Sequence, residues 1–532
     1  MKLDKEDLLS TVSIIVSILI LIFIMPRGID FTDESYNLLF TDSSFSNEKG
    51  FILYGDLLIK LGLGDNGALF YRILRGGQYI LVIIVAVFYV KKLLPDKKML
   101  WMSGVLMPSV IMAYFLLSPG ISYNSWTAVN LSVSCLLALL INEVASNKWK
   151  KILVILSVFF ALLATMGKVS AIIYLPVLLL FFMKLSKKLM YWAIVSLIAI
   201  VFLFDFLGIS ILGAIENLMD YTRSETGVDN SHTVTDQVGN FVTFIACLLF
   251  FALSGFGVRR LYEIMFLRKD KVFSKSNILL LLGYCILVYS LHKFAYYSPK
   301  NILNSGISTC LFLIFLSGIN NFFQSKNWML LLIPLSIISG VFGTNTYWIV
   351  NYSFYAPLLM VFIISHIKTK QWQITLISLV SSLGIFYVIS YTPYRSENYL
   401  RQTHEYLGNT KFNGLYVEPS GSIMEKISII EDFEYQCDSI IGVNRVAGYL
   451  YGIPAGKKIM HWTNPSSVHS IPNYENYFGC NTGILYSEKI FSFENDSPLW
   501  TDSLYKNFKC INSIEIDSLQ NTNLLFIHPT VK

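Results

Sequence analysis

Three carboxylates, Asp30, Asp33 and Glu34, fall within five residues of the segment Ile29-Asp30-Phe31-Thr32-Asp33-Glu34-Ser35-Tyr36. The segment follows directly on a strongly apolar run, residues 8–25, so it lies at a membrane boundary. Carboxylates at such a boundary are costly unless they are solvated, paired or used. A used carboxylate takes or gives a proton during a reaction. A plainer role fits the same spacing: Thr32 or Asp33 caps a short helix through 36–40, and Glu34 is favoured by the helix dipole.

Cations that could hold an anionic group recur at the same boundary. Arg72 and Arg75 are three apart in Phe70-Tyr71-Arg72-Ile73-Leu74-Arg75 and share a helix face just before a second apolar run. Lys168 stands in a tight turn, Gly167-Lys168-Val169-Ser170, with almost no polar neighbours. Lys293 and Lys300 flank Tyr296-Tyr297 in another turn. Interfacial snorkelling is the ordinary alternative for each of them. Ser122-Tyr123-Asn124 can line a pocket or simply form a turn with a belt aromatic. Asp56 and Lys60, four apart in the apolar stretch 51–61, read as a surface ion pair on an interface-lying helix.

The elements that must position these residues follow from composition. The chain has 532 residues, 54% apolar and only 14% charged, against roughly 25% charged in an ordinary soluble domain. Mean hydropathy is +0.55. This excludes a string of soluble domains and implies an integral membrane protein. A net charge of +6 is too small to make nucleic-acid binding the main task.

Hydropathy predicts about 13 spans of about 20 residues each. They are 8–25, 78–93, 100–117, 126–144, 152–166, 169–183, 189–207, 241–258, 278–291, 302–319, 328–343, 348–367 and 374–391. The pairs meeting at Gly167-Lys168 and at Thr344-Asn345-Thr346 read equally as hairpins or as long broken segments. Lysines and arginines concentrate in alternate loops: Lys91, Lys92, Lys97 and Lys98, then Lys148, Lys150 and Lys151, then Lys184, Lys187 and Lys188, then 259–275, then Lys368 and Lys370. That bias places the N-terminus in the cytoplasm and makes the protein a multi-pass component of the cytoplasmic membrane. Residues 1–391 then form the transmembrane unit, with outer loops at 27–77 and 209–240. The second of these loops carries Asp220, Arg223, Glu225, Asp229, His232 and Asp236. It reads as mobile, and His232 among those acids is a weak metal candidate.

The tail, 392–532, changes character to a polar sequence with short apolar runs. Strands are expected at 414–417, 439–443, 458–461, 483–486 and 524–528, with helices at 422–433 and 444–451. That alternation predicts a small extracytoplasmic α/β domain. Cys437, Cys480 and Cys510 permit at most one disulfide there, with the pairing open. Residues His461, Trp462 and Trp500 can stack on sugars, though core packing suits them equally. Transport or flipping would need ionisable residues near the bilayer midplane or two matching halves; mid-span charges are scarce and no repeat is visible.

An Asp-Glu pair just after the first span, with an aromatic residue two positions on (Asp33-Glu34-Ser35-Tyr36), resembles the signature of the GT-C superfamily. These are membrane glycosyltransferases that use polyprenyl-phosphate sugars, such as the protein O-mannosyltransferases and the aminoarabinose transferases. The long first outer loop, many spans and outer domain are similar too. The resemblance implies a sugar moving from a polyprenyl-phosphate donor to an extracytoplasmic glycan, lipid or protein. It implies Asp33 as the base, with Glu34 orienting it or helping to bind the acceptor. Arg72, Arg75 and Lys168 would hold the donor phosphate, and Tyr36, Tyr123, Asn124 and Lys293 would line the pocket. No cofactor follows with certainty, although a divalent metal is compatible. A surface-polysaccharide polymerase or ligase, a transporter and a non-catalytic scaffold are the competing readings.

Overall fold

The computed structural model describes residues 5–45, 50, 52–114, 120–223, 328–341, 352–366, scattered positions between 375 and 390, 397–433, 438–443, 446–461, 482–487, 511–518 and 524–531. The expected spans 241–258, 278–291 and 302–319, the turn at Lys293 and Lys300, residues 224–240 and all three tail cysteines lie outside them.

The membrane part is helical: α1 (Lys5–Ile24), α2 (Asp33–Leu39), α3 (Tyr54–Lys60), α4 (Ala68–Leu93), α5 (Met99–Tyr114), α6 (Tyr123–Glu143), α7 (Asn147–Gly167), α8 (Tyr174–Leu185, entered through a 3₁₀ turn, Val169–Ile173), α9 (Lys187–Phe206), α10 (Ile211–Arg223), α11 (Leu332–Val341) and α12 (Ala356–His366). Among the described residues five helices, α1, α4, α6, α7 and α9, are long and apolar enough to cross a membrane. Helix α6 is the hub, with 94% of its apolar window buried, whereas α9 buries 22% of its own.

Helix contacts use small residues and hydroxyls, because apolar area alone gives no preference for a neighbouring helix over lipid. Pro108 inside α5 has no N–H, which leaves the Gly104 carbonyl without its helical donor. Ser13 of α1 donates to that carbonyl at 2.6 Å. Glycine is needed at 104, since a Cβ there would stand 2.7 Å from Ser10 Cα. Between α6 and α7, Ser134 and Ser157 hydroxyls donate to each other's backbone carbonyls at 2.7 and 2.8 Å.

The segment around Gly167-Lys168 is a hairpin. The turn before α7 and the turn between α8 and α9 meet: Lys151 Nζ lies 4.8 Å from the ring centroid of Trp192. Lys98 Nζ also reaches Asp7 Oδ2 at 2.6 Å, so the α4–α5 turn and the start of α1 share an end. The lysine-rich turns therefore sit at one end of these helices, and Asp33, Tyr123 and Lys168 at the other.

The tail holds β1 (His404–Glu405), β2 (Tyr416–Val417), α13 (Ser422–Glu431), β3 (Ser439–Val443), α14 (Ala447–Gly452), β4 (Lys457–His461), β5 (Thr482–Ser487), β6 (Ile511–Ser518) and β7 (Leu524–Val531). Five strands form one sheet in the order β4-β3-β5-β7-β6. Strand β3 runs parallel to β4 and β5, and β7 runs antiparallel to β5 and β6. The expected strands and helices appear close to their expected places; β1 and β6 are additional. The tail is stitched to the first loop by backbone bonds. Tyr416 N donates to Pro26 O at 2.6 Å, Gly28 N to Tyr416 O at 2.9 Å, and Lys458 N to Ser44 O at 2.8 Å.

Candidate functional site

Asp30, not Thr32 or Asp33, caps α2. Its carboxylate accepts from Thr32 N at 2.9 Å, Thr32 Oγ1 at 2.6 Å and Asp33 N at 3.1 Å. Thr32 makes no side-chain cap bond. In return Glu34 Oε2 accepts from Asp30 N at 3.1 Å, a reciprocal closure of the helix start. Burial pushes the Asp30 carboxyl up to about 6, against the pull of the Thr32 hydrogen bonds.

This cap turns Glu34 inward, where it meets Arg72 in a forked pair. Arg72 Nε donates to Glu34 Oε1 and one terminal nitrogen to Oε2, both at 2.8 Å, with both side chains wholly buried. The same guanidinium donates to the carbonyls of Met25 at 2.8 Å, Arg27 at 3.0 Å and Gly28 at 2.7 Å. These contacts use all five of its N–H donors. A role for Arg72 as a direct phosphate ligand would mean giving up these bonds. Arg75, one turn on, is likewise buried. It donates to Gly120 O at 2.8 Å and Ala113 O at 3.0 Å, and lies against the rings of Tyr79 and Phe354. It fixes the approach to α6 instead of facing an open space. Gly120 is required there, since a Cβ would come within 2.7 Å of Glu34 Oε1.

Asp33 differs from its neighbours. It sits in the first turn of α2, half-buried, and its carboxylate is within electrostatic reach of the Tyr123 hydroxyl. Asn37, one turn below, orients this corner: its Oδ1 accepts from Tyr123 N at 3.2 Å, and its backbone carbonyl accepts from Tyr54 OH at 2.6 Å. Tyr36 packs edge-on against Phe40 and influences both Tyr54 and Tyr123. Burial keeps the Tyr36 phenol protonated well beyond its ordinary range.

Lys168 also comes near Tyr123. Gly167 makes this possible, because a Cβ there would strike Thr127 Oγ1 at 2.5 Å and Tyr123 O at 2.7 Å. The end of α7 is held by α6 side chains: Trp126 Nε1 donates to Leu163 O at 2.7 Å and Thr127 Oγ1 to Ala164 O at 3.1 Å. Lys168 Nζ lies 5.5 Å from the Tyr123 ring centroid and donates one long bond, 3.4 Å, to Gly340 O. Among the described residues no carboxylate pairs with it, and burial brings its ammonium down to about 7. The buried Oδ1 of Asn124, next to Tyr123 in the chain, has no hydrogen-bond partner among the described residues. Asp33, Tyr36 and Lys168 thus each come near Tyr123, Arg72 is bound to Glu34 and Arg75 to the Gly120 and Ala113 carbonyls, and Lys293 lies outside the described residues. Asp56 stays in the electrostatic influence of Lys60 on α3, as its spacing predicts.

The tail closes this corner in a way the sequence did not indicate. Phe31, two residues before Asp33, stacks on Phe412 at 5.7 Å and meets Tyr449 edge-on at 5.4 Å. Gly448 N donates to Phe31 O at 2.9 Å, and a Cβ on Gly448 would enter the Phe31 ring. Buried Tyr399 feels the charges of Arg72, Glu34 and Asp30. Asp42, just past α2, accepts from Lys458 Nζ at 2.9 Å and lies 3.4 Å from Lys411 Nζ. Burial would raise the Asp42 carboxyl, but these two ammonium groups win and hold it at about 2. These partners lie hundreds of residues away in sequence, and no local spacing marks them.

Among the described residues no group of three or more histidines, cysteines or acids is placed to hold a metal ion. No family model matches the chain, and no curated protein matches it. Among solved structures it is similar to the oligosaccharyltransferase of Archaeoglobus fulgidus, crystallised in complex with Zn and sulfate. The identity is 11% and the TM-score 0.46, over 96% of this chain and 72% of that one.

Proposed function

We propose that the protein is a membrane glycosyltransferase. It moves a sugar from a polyprenyl-phosphate donor to a glycan, lipid or protein acceptor outside the cytoplasmic membrane. The observation that supports this reading is the contrast between two groups near Tyr123: a half-buried carboxylate, Asp33, within electrostatic reach of its hydroxyl, and a buried, under-bonded ammonium, Lys168, 5.5 Å from its ring centroid. In this reading Asp33 takes the proton from the acceptor hydroxyl or amine. The freed electron pair attacks the anomeric carbon, and the bond from that carbon to the donor phosphate breaks. The departing phosphate keeps the electron pair, and Lys168 receives its charge.

Glu34 and Arg72 act as positioning residues. Together they hold the cap that sets the direction of α2, and their charges cancel, so the positive field behind the phosphate is that of Arg75. Tyr36, Tyr123 and Asn124 line the sugar side, and the Asn124 Oδ1 is available to a sugar hydroxyl. Residues 1–391 form the transmembrane unit and 392–532 an extracytoplasmic domain that grips the first loop. A divalent metal is compatible with the acids at this face, and none of the steps above depends on one.

Sugar transfer in membranes tests the reading. Asp33→Asn keeps shape and removes the base, so transfer falls by about 10²–10⁴-fold. Full transfer by a folded Asp33→Asn protein contradicts the assignment.

A further inference from the structure

A polar cavity lies at the lysine-rich end of the membrane helices. Its volume is about 250 Å³, and it opens between the turn joining α6 to α7 and the turn joining α8 to α9. Lys150, Lys151 and Lys188 line it together with Asn142, Asn147 and Ser186. Two helices begin at its rim. The N-cap of α7, Ser146, makes no side-chain bond to the first-turn N–H groups, so these remain for an anion. At α9 the Ser186 hydroxyl accepts from Lys188 N at 3.2 Å. Glu143, at the end of α6, accepts from Asn142 Nδ2 at 3.1 Å.

The surroundings identify the kind of anion. Trp149 and Tyr191 are exposed beside the cavity, and Trp192 forms part of its wall. Aromatic rings at this level mark the headgroup region of a bilayer. One to two turns deeper along the same helices, Ile155 and Leu156 on α7 and Ile194 and Val195 on α9 are exposed apolar side chains. A polar anion in the cavity would therefore continue into apolar chains along α7 and α9. A free phosphate would use only the upper half of these features, and an acidic protein segment would leave the apolar flanks bare.

We infer that this cavity binds the phosphate headgroup of an anionic membrane phospholipid, with its acyl chains lying along α7 and α9. The inference rests on the chain spanning a membrane and not on the sugar-transfer reading. Its failure would leave Asp33 and Lys168 untouched, and theirs would leave it standing.

The test is lipid retention by the full-length protein. Wild type and Lys150→Gln/Lys151→Gln/Lys188→Gln are purified from nanodiscs of mixed phosphatidylglycerol and phosphatidylcholine, and the bound lipid is measured by native mass spectrometry. Wild type retains phosphatidylglycerol selectively. The triple Gln variant loses that selectivity by about a hundredfold, three ammonium groups each contributing about a factor of five. The triple Arg variant keeps it, which separates lost charge from lost folding. Inorganic phosphate at millimolar concentration does not displace the lipid. Equal retention by wild type and a folded triple Gln variant overturns the inference, as does displacement of the lipid by phosphate alone.

Discussion

Arg72 and Lys168 are both buried cations at the same end of the membrane helices, yet the fold treats them oppositely. Arg72 has every donor committed: two to Glu34 and three to backbone carbonyls. Lys168 has one long bond to a carbonyl and an aromatic face. A planar fork with five donors suits a fixed frame, whereas a point charge on a flexible stem suits a ligand that comes and goes. Burial of a charge is tolerable when it is paired and costly when it is not. The uncompensated charge of Lys168 is thus the place where the protein has most to gain from an incoming anion.

Breaking the closed side of this comparison has the largest effect. Arg72→Met or Glu34→Gln strands a buried charge or donors, at a cost of about 3–5 kcal/mol. Both variants should lower the unfolding midpoint in detergent sharply, and Arg72→Lys should not rescue the fold. An Arg72→Lys protein as stable as wild type would show that the forked pair is not the frame. Gly448→Val probes how the tail braces that frame. It forces a side chain into the Phe31 ring, at about 1–3 kcal/mol for overpacking. Limited proteolysis should then cut the tail free of the first loop faster, with a matching loss of transfer, and unchanged cleavage would argue against the brace.

The open side is sharpened by pH. Lys168 has a folded pKa of about 7, below the ordinary 10.5. In the free protein its charge is lost as pH rises through about 7, and donor affinity should fall about tenfold per unit above that, a cost of 1.4 kcal/mol each time. The unfolded chain holds this proton up to about 10.5, so the free fold gains stability over the same range. Lys168→Arg, which cannot lose its proton, should flatten the affinity profile; a profile that keeps its slope in that variant would move the titration elsewhere. Asp30 runs in the opposite sense. Its folded pKa is raised to about 6, so its contribution to stability is whole below about 3.8 and is lost as pH rises through about 6.

Much of this was legible in the sequence, and the rest was hidden for definable reasons. The run Asp30, Asp33, Glu34 stood out because carboxylates at a membrane boundary need an explanation. It did not show that Asp30 takes the cap, because Thr, Asp and Ser compete closely for that position. What decides it is Glu34, which binds Asp30 N and Arg72 together. Arg72 and Arg75 were visible as a helical pair, but their acceptors are carbonyls and a glutamate up to 47 residues away. Strands β3, β5 and β7 followed their apolar runs. Strand β6 was missed because its pairing slips between Ile511 and Ser513, which breaks the period-two pattern. The Asp42–Lys458 contact spans 416 residues and is purely tertiary.

The proposed division of labour between Asp33 and Lys168 is tested most directly by measuring donor binding to Asp33→Asn and Lys168→Met side by side, with a polyprenyl-phosphate sugar in nanodiscs. Asp33→Asn should bind the donor as wild type does. Lys168→Met should fold normally and bind about 10–100-fold more weakly, the worth of one hydrogen bond to a charged group. Wild-type affinity in Lys168→Met, with the loss falling on Asp33→Asn instead, would contradict the account.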